Sequence, residues 1–381
     1  MDIKQYDDIR PYNDDEINEA MQRISSNRFF SNISAYLFPG KDEAFFKKIL
    51  LNCHTVNDFQ VKVMSFIVRK IIADTAKEMS FGGLDNFEEG KKYLLISNHR
   101  DIVLDSAIIQ LILHENKIPT TEISVGDNLI TSPFIEDITR SNKMIKVIRS
   151  SSAREVYFTS QRLSNYIRNN ISGGRSSIWI AQRNGRTKDG LDITEQGLLK
   201  MLSMSGSGDF LKDFEELNIM PVTVSYEFEP CDILKAIELH ISKRQKYIKT
   251  RHEDLNSILT GIMQFKGGIH IQFNQPLATQ EINLAANSNS ADKNEKFKLL
   301  GEIMDKKIVS NYHLWKNNYI AYDLLHNSEK YSCMYTEEEK LSFENYTKYK
   351  LSTVEDDKDD VEKIFLGIYA NPLISKENIS K

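Results

Sequence analysis

Cysteine is scarce, with three in 381 residues, Cys53, Cys231 and Cys333, far apart and without a C-x-x-C pair. That excludes a disulfide scaffold and a cysteine-rich zinc site, and it fits a reducing compartment. Eight prolines and 17 glycines are too few for a collagenous or low-complexity chain. No apolar run reaches the roughly 18 residues that a membrane-spanning helix needs. The nearest, Ile102 to Leu113, is too short and carries Asp105. The N-terminal stretch MDIKQYDDIRPYNDDE lacks the apolar centre of a secretory signal. An excess of one charge sign is missing too: 49 Lys and Arg stand against 54 Asp and Glu, for a net charge of −5. Such a balance gives no footprint for nucleic acid, although it hides any local basic site. Together these absences predict a soluble or peripheral protein of the cytoplasm.

What is present, 40% hydrophobic and 27% charged residues, is the balance of a globular chain long enough for a sizeable core. The first ninety residues read as helices: Asp14 to Ile24, Lys41 to Leu51, and Val56 to Lys77, the last with Phe59, Val63, Phe66, Ile67 and Ile71 at helical spacing. Gly82-Gly83 ends that texture. Strands then alternate with helices. Tyr93 to Ser97 is a continuous apolar run, as in a strand covered on both faces, and a helix over Leu104 to Glu115 follows. Further strands are expected at Thr121–Val125, Met144–Ser150, Ser177–Gln182, Ile219–Phe228 and Gly267–Leu277, with helices at Pro133–Ile138 and Arg154–Asn169. Beyond Ile282 a polar loop, Asn287 to Asn294, leads to helices at Lys296–Tyr312 and Glu337–Tyr349, and Glu355–Asp360 reads as an acidic, solvated stretch. The expected fold is α/β, a mixed sheet covered by helices. It divides into a helical N-terminal region (1–84), the sheet domain (85–282) and a helical C-terminal extension (283–381).

Two segments carry chemistry. In Ser97-Asn98-His99-Arg100-Asp101-Ile102-Val103-Leu104-Asp105 a strand runs through a polar turn into a helix. That places His99 at the carboxyl edge of the sheet, where open α/β proteins bind ligands. Asp101 and Asp105 are both close enough to orient the imidazole, which would leave its other nitrogen as a general base. The plainer alternative makes His99 a turn residue and Asp101 a helix cap. In the second segment, Gln182-Arg183-Asn184-Gly185-Arg186-Thr187-Lys188-Asp189-Gly190, a strand ends in a cationic turn. Arginine forks suit phosphate oxygens, and Arg149 ends a strand upstream; a merely solvated basic turn is the alternative.

In order, these segments resemble the glycerolipid acyltransferase superfamily, the glycerol-3-phosphate and 1-acylglycerol-3-phosphate (lysophosphatidate) acyltransferases. Asn98-His99 matches the family's first block, Asn-His, four residues, then Asp, although Asp105 lies one residue too far. Gly126 through Pro133 to Val147-Ile148-Arg149 is similar to the second block. Ala181 to Thr187 is similar to the Phe-Pro-Glu-Gly-Thr-Arg-Ser turn, with Arg186 on its arginine, Thr187 on its serine, and Arg183, or Asn184 in a shifted register, where the glutamate stands. Lys188-Asp189-Gly190 suits the glycerol-3-phosphate branch, and Ile219-Met220-Pro221-Val222 resembles the fourth block. The likeness covers roughly residues 85 to 280.

The resemblance implies acyl transfer from acyl-CoA or acyl carrier protein to a hydroxyl of glycerol-3-phosphate, lysophosphatidate or a related lipid, without a metal or other cofactor. His99, with Asp105 favoured over Asp101, would be the base. Asn98, Arg149, Arg183, Gly185, Arg186, Thr187 and Lys188 would line the substrate site. Contact with the inner face of the membrane would be peripheral, and Phe29-Phe30, Tyr36-Leu37-Phe38 and Phe45-Phe46 beside Lys47-Lys48 are the expected surface, unless they are core. Two other readings stay open: a catalytically silent member that binds phospholipid or the membrane surface, and a metal-dependent phosphoesterase using His99, Asp101 and Asp105. The latter lacks a second histidine-rich cluster.

Overall fold

A computed structural model of the chain describes residues 3–149, 152–250, 252–288 and 293–380. Seven strands form one mixed sheet: β1 (Ala76–Gly82), β2 (Leu94–Ser97), β3 (Glu122–Gly126), β4 (Met144–Val147), β5 (Ile178–Ala181), β6 (Ile219–Tyr226) and β7 (Gly267–Phe273), in the order β1-β7-β6-β2-β5-β3-β4. The pairing is parallel throughout except between β6 and β7. The expected class is therefore the observed one.

The central strand β2 is buried at every residue and apolar at all but Ser97, because it is covered on both faces. Leu94 and Ile96 join one core cluster with Ile178, Ile180 and Ile219, while Tyr93 and Leu95 join the opposite one with Trp179, Met220 and Val222. This period of two turns a continuous apolar run into two separate cores.

The expected helix over Val56–Lys77 stops at Thr75, and the residues after it, through Gly82, form the edge strand β1. The sheet thus starts ahead of residue 85. Helices Asp14–Ser25, Phe30–Leu37 and Glu43–Leu51 gather around their own core, in which Phe30, Leu37 and Phe46 are buried. Of the residues expected at the membrane, Phe30, Leu37 and Phe46 are therefore interior, while Phe29, Tyr36 and Phe45 stay exposed. No helix among the described residues is long and apolar enough to cross a membrane.

At the other end, the acidic stretch Glu355–Asp360 runs into the helix Lys358–Ser380. This helix and Glu337–Leu351 dock by buried hydroxyls: Tyr346 and Tyr369 both donate to Asp232 Oδ2, at 2.6 and 2.8 Å. The same helix passes so close to Gly190 (φ +80°) that a Cβ there would sit 2.3 Å from the Ile368 carbonyl oxygen. Only glycine fits. The middle of the expected Asn287–Asn294 loop, 289–292, and the end of the expected strand at Ser150 lie outside the described residues.

Candidate active site

Strands β2, β5 and β6 run in parallel, so their carboxyl ends converge on one edge. The turn leaving β2 is pinned there by Asn98, whose amide copies a strand partner: it donates to Val224 O at 2.9 Å and accepts from Val224 N at 2.7 Å. A further bond to Asp192 completes it. Asn98 is fully buried, with its side chain hydrogen-bonded to Val224 and Asp192.

His99 Nδ1 lies 2.9 Å from Asp105 Oδ2. A carboxylate can only accept, so Nδ1 carries a proton, and in the neutral ring Nε2 is the nitrogen with the lone pair. Nε2 has no partner among the described residues, and the ring meets Trp179 edge-on at 5.7 Å. Asp105 is itself held from four directions. Besides His99, its Oδ2 accepts from Arg100 N (2.6 Å) and Asp101 N (2.9 Å), and its Oδ1 accepts from Tyr226 Oη (2.9 Å). Those two backbone bonds close the turn, which is how the extra residue between His99 and Asp105 is absorbed. Burial, then the neighbouring Asp105 charge, hold the Tyr226 hydroxyl well above its ordinary pKa, so it stays a donor.

Asp101 does a different job. Its Oδ1 accepts from Val103 N and Leu104 N at 2.9 and 2.8 Å, capping the Leu104–Glu115 helix. Its Oδ2 is buried without a partner. Burial and the adjacent Asp105 push its carboxyl above the ordinary range, against the pull of the two amides and Arg186. We therefore expect Asp105→Asn to lower turnover about a hundredfold or more, because it disturbs the tautomer of the base. Asp101→Asn keeps a capping oxygen and should cost at most about 1 kcal/mol of stability. Turnover and thermal unfolding of the two variants, measured side by side, check this; the reverse pattern would make Asp101 the partner.

The second turn is clamped to the first, Thr187 N donating to His99 O at 2.7 Å and Thr187 Oγ1 to Asp192 Oδ1 at 3.0 Å. Thr187 is thereby buried framework. Gly185 adopts φ +81° at the exposed tip. Of the cations, Lys188 is paired with Glu238. Arg183 Nε and Arg186 Nη1 are buried and have no hydrogen-bond partner. A guanidinium N–H left so is costly unless water or a ligand takes it up. Arg149 follows the edge strand β4, its backbone N–H donating to Asp127 and its guanidinium lying over Gly126.

Beneath both turns lies a charge network that composition and spacing did not reveal. Arg100, fully buried, donates to Asp192 Oδ2 (2.6 Å), approaches Glu229 (3.4 Å) and lies over the Tyr312 ring. Lys235 Nζ bonds Glu229 Oε1 (2.6 Å) and the Arg100 carbonyl (2.8 Å). Removing one partner of a buried pair costs about 3–5 kcal/mol, so these residues hold the site's shape. Among the described residues no group of three His, Cys, Asp or Glu comes together as a metal site.

Residues 78–225 match the protein-family model described as Acyltransferase. A search of curated protein sequences returns no match. Among solved structures, the chain is similar to the 1-acyl-sn-glycerophosphate (LPA) acyltransferase PlsC from Thermotoga maritima, at 11% identity and a TM-score of 0.40, covering 79% of this chain and 96% of that one. The segment that matches the Acyltransferase model, about two-fifths of the chain, spans His99, Asp105, Arg149 and the whole Arg183–Lys188 turn.

Proposed function

We propose that the protein transfers a fatty acyl group from acyl-CoA or acyl carrier protein to a hydroxyl of glycerol-3-phosphate, lysophosphatidate or a related lipid acceptor. The observation that carries this reading is the His99–Asp105 pair at 2.9 Å with Nε2 left open. In the proposed step Nε2 takes the hydroxyl proton as the oxygen attacks the thioester carbonyl. The C–S bond then breaks, and the thiolate leaves with the proton returned by the imidazolium. Asp105, steadied by Tyr226, keeps the ring oriented as Nε2 takes up the proton. Arg183 and Arg186, with Arg149, would hold the acceptor phosphate so that its hydroxyl meets His99. Residues 85–282 would carry the chemistry, with 1–84 and 283–381 as flanking regions, in the cytoplasm at the inner face of the membrane. No cofactor is called for.

A silent phospholipid-binding role is the second reading, favoured by Arg183 or Asn184 standing where the family has glutamate. Labelled acyl-CoA and acyl carrier protein, offered with a panel of phosphorylated and unphosphorylated acceptors, separate the two. Mass spectrometry should find an acylated phosphate-bearing acceptor. Phospholipid binding without acyl product would favour the silent reading.

A further inference from the structure

The segment that returns from the cationic turn, Asp189 to Glu195, is neither helix nor strand. One side of it holds the candidate site together. Asp192 ties the two turns to each other, its Oδ2 accepting from Asn98 Nδ2 (3.0 Å) and Arg100 Nη2 (2.6 Å) and its Oδ1 from Thr187 Oγ1 (3.0 Å). Glu195 closes the loop behind the tip: its N–H donates to Gln182 O (3.0 Å), and its Oε2 accepts from Asn184 N (3.1 Å). Arg183 and Arg186 are therefore carried by backbone that has no regular structure of its own. Such a segment keeps one geometry only as far as hydrogen bonds and packing fix it.

Its other side is fastened by the C-terminal extension, beyond the end of the matched family segment. Thr194 is buried, and both of its donors end on one carboxylate of the helix Lys293–Ser310. Thr194 N lies 2.9 Å from Asp305 Oδ1 and 3.1 Å from Oδ2, and Thr194 Oγ1 donates to Oδ1 at 2.5 Å. One turn earlier on the same helix face, Gly301 brings the backbone in, so that a Cβ there would rest 3.7 Å from Thr194 Cβ. The helix Lys358–Ser380 adds a second fastening, Asn371 Nδ2 donating to Asp189 O at 2.6 Å. We infer that Asp305 is a positioning residue for the reaction: through Thr194 and Glu195 it sets Arg183 and Arg186 where they meet the acceptor phosphate. The extension, which only flanks the catalytic region in sequence, is then part of the active site. The inference rests on the acyltransferase reading for what the arginines hold, and on geometry alone for the clamp. Plain structural support is the competing role, and it would lower stability with no preference for acceptor binding.

The test is made in the full chain. Asp305→Ala should raise the acceptor KM about tenfold while the donor KM and kcat stay within about threefold, because the holder of the acceptor moves and His99 does not. Asp305→Asn keeps a carbonyl oxygen for Thr194, so it should return the acceptor KM to within about threefold of wild type. Thr194→Val loses the hydroxyl alone and should raise that KM severalfold. Combined with Asp305→Ala it should add less than the product of the two effects, as expected for two ends of one interaction. Thermal unfolding identifies an Asp305→Ala chain that is simply unstable, and Thr194→Val then carries the kinetic test. Hydrogen exchange, read without substrate, is the second measurement: the Thr187 and Glu195 amides should exchange about tenfold faster in Asp305→Ala, and those of β2 as in the wild type. A loss of kcat at unchanged acceptor KM, independent effects in the double variant, or unchanged exchange would each overturn the assignment. A wild type that transfers no acyl group to any acceptor would contradict the acyltransferase reading instead, and the exchange result alone then decides the clamp.

Discussion

His99→Ala is expected to lower acyl transfer by at least about a hundredfold, the ordinary worth of a positioned general base, while the protein stays folded. The imidazole makes one side-chain hydrogen bond, and Asp105 keeps its bonds to Arg100 N, Asp101 N and Tyr226 when that one is lost. The carboxylate is therefore not orphaned, and the turn remains closed. The substitution should appear in kcat, because the base is needed in the transition state and binds no part of the ground-state substrate. Single-turnover rates with saturating donor and acceptor, alongside thermal unfolding, measure both halves. A His99→Ala enzyme within tenfold of wild type would remove the base from the mechanism.

The second large effect belongs to the cationic turn. Arg186→Ala should cost about 1.5–3 kcal/mol for a lost charge-assisted hydrogen bond, or roughly ten- to a hundredfold in kcat/KM for the acceptor. Arg186→Lys keeps the charge and loses the fork, so it should chiefly raise the acceptor KM. Arg183→Ala should behave like Arg186→Ala, because both guanidinium groups hold buried N–H groups without a partner. Lys188→Ala should do less, its ammonium being engaged by Glu238. Measured with donor and acceptor varied in turn, a KM rise confined to the donor would place Arg186 on the carrier's phosphates instead.

The strands that flank the site were legible because burial on both faces leaves a plain apolar run, as in β2. Edge strand β1 was not. Its Lys77 and Glu78 are polar and its residues are half-exposed or exposed, so nothing in AKEMSFG separates it from the end of the preceding helix. The choice between Asp101 and Asp105 was open in sequence because both fall within reach of His99. Geometry separates them, since one carboxylate reaches back over the turn and the other caps the helix. Arg100 read as one more polar turn residue, yet it is fully buried and bridges to Asp192 and Glu229, more than ninety residues away. Pairings of that separation leave no periodic trace. The bonds from Thr194 to Asp305, 111 residues apart, were missed for the same reason.

The most direct measurement is release of free thiol from an acyl-CoA or acyl carrier protein thioester, followed with and without a phosphate-bearing hydroxyl acceptor. The account predicts acceptor-dependent release, one thiol for each ester formed, lost in His99→Ala. Acceptor bound with no thiol released, or phosphate liberated in a chelator-sensitive reaction, would contradict it.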